Sequence, residues 1–110
     1  MAKFLFIESR DPFESKDTVQ TLGLVKELRT KGHDVILYLI QNGVFCSRKN
    51  VQVGLFTEIL SDGQVHVYAD GCSLNERGIL GHQIPDEIRV SDEYELVDLL
   101  MEDGRKPVWH

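Results

Sequence analysis

At 110 residues, with 42% hydrophobic and 27% charged side chains, the chain is sized for one soluble domain with a single core. Twelve basic against eighteen acidic residues give a formal charge of -6, which argues against the concentrated basic surface that nucleic-acid binding needs. The longest apolar runs, Phe4–Ile7 and Val35–Ile40, fall far short of the about 20 residues of a membrane helix. Met1-Ala2-Lys3 leads straight into a strand-like run rather than a leader peptide, so a cytoplasmic protein without membrane attachment is expected.

Residues 3–9 (KFLFIES) predict a buried strand, because four large apolar side chains in a row are bounded by polar ones. Pro12 marks the loop Arg10–Ser15. Asp17, with Gln20 three residues on, has the form of a capping box and opens a helix. Val19, Leu22, Val25 and Leu28, joined by Leu24, give that helix one apolar face, and Gly32 closes it. Asp34–Ile40 is β-branched, apolar and continuous, as expected of a strand covered on both faces. Gln41-Asn42-Gly43 turns the chain, Val44–Lys49 suits one helical turn, and Val51–Leu60 a helix closed by Asp62-Gly63.

Val65–Ala69 is the third predicted strand. A short helical turn over Ser73–Arg77 ends at Gly78, and Ile79–Pro85 reads as loop. Glu87–Ser91 is a short fourth strand with Ile88 and Val90 on one face. Asp92 and Glu95 again resemble a capping box, opening a helix with Leu96, Leu99 and Leu100 at helical spacing and Gly104 at its end. Pro107–Trp109 is a terminal edge strand, where the missing N–H of proline is tolerated.

Such alternation predicts an α/β protein: a single three-layer domain with a mostly parallel sheet of about five strands flanked by helices. In a parallel sheet, ligands bind beyond the carboxyl ends of the strands. That rim collects Ser9, Arg10 and Asp11; Asn42, Gly43 and Cys46; Asp70, Gly71 and Cys72; Ser91 and Asp92; and His110. Cys72 lies just ahead of a helical turn, where free N–H groups and Arg77 favour the nucleophilic thiolate while Asp70 opposes it. The bland alternative is a small, half-buried turn residue.

Cys46 follows Val44-Phe45 and reads as a buried, inert thiol. The cysteines lack the close spacing of a redox or zinc motif, and His33, His66, His82 and His110 show no metal-ligand spacing. His82, in Gly81-His82-Gln83, reads as a solvated loop residue or a mobile acid–base group. The phosphate loops G-x-G-x-x-G and G-x-x-x-x-G-K-S/T are absent, as is G-x-S-x-G, so no cofactor is expected.

Lys31-Gly32-His33-Asp34-Val35 before the second strand, Asn42-Gly43-Val44 after it, and Ser73-Leu74-Asn75-Glu76-Arg77-Gly78-Ile79 after the third resemble the DsrE/DsrF-like superfamily, from about Lys3 to Trp109. The resemblance implies a small oligomeric α/β domain. In active members a cysteine after the third strand accepts and passes on persulfide sulfur. It also implies a protein that donates or receives that sulfur as partner. In TusD-like members the sulfur-carrying cysteine falls seven residues before the arginine, a position held here by Asp70. Cys72 is two residues further on, with Asp70, Gly71, Arg77, Asn42, Gly43 and Arg10 as its candidate binding surroundings.

Two functions follow as expectations: sulfur handling with Cys72 as acceptor, or a non-catalytic oligomeric module binding a small ligand or partner protein on the rim. A homodimer or homotrimer is expected, because burial at this length is modest and added interface helps. Phe13, Phe45, Phe56 and Trp109 are candidates for that contact or for the core.

Overall fold

Strand residues alternate between two faces, and the two faces build two separate hydrophobic clusters. The computed structural model describes residues 1–51 and 53–110. Its elements run β1 (Lys3–Glu8), α1 (Lys16–Thr30), β2 (Asp34–Leu39), a 3-10 helix over Gln41–Ser47, α2 (Gly54–Asp62), β3 (His66–Asp70), α3 (Gly71–Glu76), a 3-10 turn over Gly81–Gln83, β4 (Ile88–Ser91), α4 (Glu93–Met101) and β5 (Arg105–Trp109). The five strands form one sheet in the order β4-β3-β2-β1-β5, every pair parallel, so all carboxyl ends share one rim.

The larger cluster joins Phe6, Leu37, Leu39, Val67 and Ala69 to Leu22 and Val25 of α1 and Phe56 and Ile59 of α2. The opposite face carries Leu5, Ile7, Ile36 and Tyr38, covered by Leu96 and Leu99 of α4. Tyr38 is fully enclosed there and donates to Ser91 Oγ at 3.0 Å, which ties β2 to the end of β4 across β3. Burial, the largest cause, raises its phenol pKa.

Several local expectations give way to tertiary packing. The proposed Asp17–Gln20 box does not form: α1 starts one residue earlier, at Lys16 after Ser15, with no side-chain cap. Val19 and Leu24 are exposed and Thr18 takes a buried place with Leu22 and Val25, because α1 meets the sheet along a narrower stripe. At α4 half of the expected box is present, Asp92 Oδ1 accepting from Glu95 N at 2.9 Å, while the Glu95 carboxylate turns to Arg89.

The second predicted helix begins at Gly54 rather than Val51; Gln52, inside the predicted span, lies outside the described residues. Ile79–Pro85 contains a single 3-10 turn. Ile88 is buried as expected but Val90 is not, since β4 is an edge strand with little over its end. Of the four aromatic contact candidates, Phe56 is core, Phe45 half-buried, and Phe13 and Trp109 exposed.

β5 is anchored at its start by Arg105, whose side chain is 4% exposed. Its Nη1 lies 3.1 Å from Asp34 Oδ1, and its Nη2 lies 2.8 Å from Glu102 Oε2. Hydrogen bonding to Arg105 holds both carboxyls below their ordinary values. A depressed folded-state pKa contributes stability above the unfolded value, and that contribution is lost as pH falls through the folded one. Stability should therefore decline as the solution is acidified below the ordinary Asp value of 3.8. Denaturant midpoints measured against pH should show a shallower acid decline in Asp34→Asn than in the parent chain.

Candidate functional site at the carboxyl rim

The rim carries, from one edge to the other, Asp92 after β4, Cys72 after β3, Asn42 and Gly43 after β2, Arg10 after β1 and His110 after β5. Each predicted site residue thus lies on this rim or, like Arg77, in the turn packed behind it. They do not converge on one point.

Asp70 ends β3 and caps α3: its Oδ2 accepts from Ser73 N at 2.9 Å and from Ser73 Oγ at 2.7 Å. Ser73 Oγ in turn accepts from Gln41 N at 2.8 Å, joining the third strand's turn to the second's. Gly71 faces β4 so closely that an added Cβ would stand 3.1 Å from Ser91 O. Cys72 follows, with its side chain in solvent.

Cys72 lies within the first turn of α3 rather than ahead of it as expected, and Arg77 does not supply the activation predicted for the thiol. Arg77 turns away from it. Its guanidinium donates twice to Asn42 Oδ1, at 3.1 and 3.0 Å, and once to Ser73 O at 3.1 Å, and it lies over the Phe45 ring. Cys72 Sγ instead donates to Glu76 Oε1 at 3.5 Å, one helical turn along. This hydrogen bond and the charge of Glu76, with smaller effects from Asp70 and Glu93, raise the Cys72 pKa. Glu76→Gln should consequently speed alkylation of Cys72 by iodoacetamide severalfold near neutral pH, because more of the thiol is thiolate. An unchanged second-order rate, followed by mass spectrometry, would count against Glu76 as the brake.

Cys46 behaves as expected of an inert thiol. It is a buried residue of the 3-10 helix, its Sγ donates to Gly43 O at 3.2 Å, and its thiol is pushed up to about 12, chiefly by burial. Both thiols are free. His82 is exposed in its loop, and His33 is structural, its Nδ1 accepting from Ala2 N at 3.0 Å. Among the described residues, no three His, Cys, Asp or Glu side chains are grouped to hold a metal ion.

Glu8 is the rim residue that sequence reasoning overlooked. It closes β1 and is fully enclosed, with its two carboxylate oxygens 2.8 and 2.9 Å from His110 Nδ1. A carboxylate directly after the apolar run Phe4–Ile7 was the available signal, but pairing with a residue 102 positions away leaves no local trace. The 3-10 helix lies directly above this point, since an added Cβ on Gly43 would stand 2.2 Å from Glu8 O. Glycine is thereby required at 43 by close approach.

The sequence matches the DsrE/DsrF-like family over residues 2–106. Among solved structures, the chain resembles a protein of unknown function, MTH1491 from Methanobacterium thermoautotrophicum, with TM-score 0.82 and 15% identity over 100% of both chains. It resembles the ychN protein from E. coli equally well, with TM-score 0.82 and 22% identity over 98% of this chain and 100% of that one. At these identities the two likenesses establish the fold. No curated protein matches this chain.

Proposed function

The chain belongs to the DsrE/DsrF-like family, a family associated with sulfur relay, and from that membership we propose that it handles sulfur, with Cys72 accepting a persulfide sulfur and passing it on. One observation carries the reading: Cys72 holds a solvent-open thiol on the carboxyl rim, whereas Cys46 is enclosed.

In the loading step the Cys72 S–H proton passes to Glu76, the carboxylate in hydrogen-bond reach of it, and from there to the departing donor thiolate. The thiolate attacks the outer sulfur of a donor persulfide. A sulfur–sulfur bond forms on Cys72, the donor's own sulfur–sulfur bond breaks, and the donor departs as a thiolate. Discharge repeats the exchange with an acceptor thiolate attacking the outer sulfur. No external oxidant or reductant enters. Because Glu76 raises the thiol pKa, a donor that displaces or neutralises that carboxylate would speed the step.

The reading includes protein donors and acceptors of sulfur in a cytoplasmic setting, and assembly into a homodimer or homotrimer. Exposed Tyr94, Val97 and Met101 on α4 and Trp109 on β5 support assembly, since they leave apolar surface on one side of the sheet.

A specific observation favours a second reading, a non-catalytic module that binds a small ligand or partner at the rim. Asp70, where the resemblance to TusD-like members places the sulfur-carrying cysteine, serves as a helix cap, and the pKa of the nearby thiol is raised. Intact-mass measurement after incubation with a persulfide donor separates the two. The relay reading expects a gain of one sulfur atom that disappears in Cys72→Ser. An unchanged mass, or a gain that survives that substitution, would favour the module.

A further inference from the structure

We propose that His110, held by the buried carboxylate of Glu8, is a proton acceptor for a thiol bound at the β1–β5 end of the rim. The choice of a thiol rests on the sulfur-handling reading above; the acceptor rests on geometry alone.

Glu8 ends β1, which is flanked on both sides by β2 and β5, and none of its surface reaches solvent. Its oxygens lie 2.8 and 2.9 Å from His110 Nδ1. An ionised carboxylate only accepts hydrogen bonds, and we accordingly place the ring hydrogen on Nδ1, donating to Glu8. In the neutral ring, Nε2 is then left with its lone pair.

The backbone of His110 is fixed as firmly as the ring. Its N–H donates to Ile7 O at 2.9 Å, and its carbonyl accepts from Ser9 N at 2.8 Å and Ser9 Oγ at 2.9 Å. The side chain is nevertheless 22% exposed. Nε2 has no hydrogen-bond partner among the described residues and is not among the enclosed, unpartnered atoms. The backbone N–H of Arg10, two residues beyond Glu8, donates to Glu8 Oε2 at 3.4 Å.

This pair is separate from the Cys72 turn. β3 and β5 are separated by β2 and β1, three strand spacings or about 14 Å. The chemistry is a proton transfer only. The ligand's S–H bond breaks, its proton bonds to Nε2, and its electron pair stays on sulfur as a thiolate. Glu8 balances the imidazolium charge. Return of the proton restores the ligand.

Long-range 1H–15N NMR of the histidine rings in the full-length wild-type chain tests this at about pH 8, where an ordinary histidine is neutral. Free His110 should have hydrogen on Nδ1 and none on Nε2. Adding 2-mercaptoethanol should move the Nε2 signal saturably, while 2-(methylthio)ethanol, which has no S–H, should not. His33, His66 and His82 should stay in place under both. A hydrogen on Nε2 in the free protein, a signal unmoved by the thiol, or equal movement with the thioether would overturn the proposal. Repeating the titration on Cys72→Ser separates the two claims, because failure of sulfur loading at Cys72 leaves this response intact.

Discussion

His110→Ala should destabilise the protein by about 3 kcal/mol, because it removes the side-chain partner of a fully enclosed carboxylate. Leaving an enclosed carboxylate without its hydrogen-bond donor costs about 1–3 kcal/mol or more, because the desolvated acceptor goes unmet. The missing ring would let some water reach Glu8, the imidazole itself being partly exposed, which limits the loss. Equilibrium urea unfolding would read the difference. Adding Glu8→Gln to His110→Ala should recover part of the loss, since a neutral amide is cheaper to leave without a partner. A loss below about 1 kcal/mol would mean that the pair behaves as an exposed one.

Gly43→Ala should be at least as damaging, at about 3 kcal/mol or more. The new methyl would sit 2.2 Å from Glu8 O and 3.0 Å from Glu8 C, and these are backbone atoms that no rotamer change can move. Relief requires the 3-10 helix to lift from the end of β1, at the expense of the 2.9 Å bond from Gly43 N to Ile40 O and the 3.0 Å bond from Ile40 N to Glu8 O. Asn42, which holds Arg77, would shift with it. Gly71→Ala is the matched comparison. Its nearest neighbours would be 3.1 and 3.4 Å away, and one of them is a side chain on an edge strand. Thermal midpoints of the two variants should fall well below and slightly below wild type, respectively. Equal midpoints would remove close approach as the reason for glycine at 43.

Much of the architecture was legible because it is written in local patterns. The apolar runs Phe4–Ile7 and Val35–Ile40 became two of the three inner strands, and the glycines at 32, 63, 78 and 104 all take the left-handed conformation expected after helices and turns. The collection of chemistry-bearing residues on one rim followed from a parallel sheet. What the sequence did not reveal depends on contacts between distant segments. Arg77 was expected to serve Cys72, but the side chain of Asn42, 35 positions earlier, captures it. Glu76 was read as part of a family motif, and its carboxylate instead faces the thiol from one turn along the same helix. Helix starts at Lys16 and Gly54 shifted from their predicted positions because packing against the sheet, rather than a capping side chain, sets where they begin.

These contacts give the rim two chemically different ends. At one, an open thiol is restrained by Glu76. At the other, a buried carboxylate orients a histidine. The central claim concerns the thiol, and locating the sulfur by peptide mass spectrometry tests it most directly. After incubation with a persulfide donor and capping of the exposed sulfur, the peptide containing Cys72 should carry one additional sulfur and the peptide containing Cys46 none. Sulfur on Cys46, or on neither peptide, would contradict the claim.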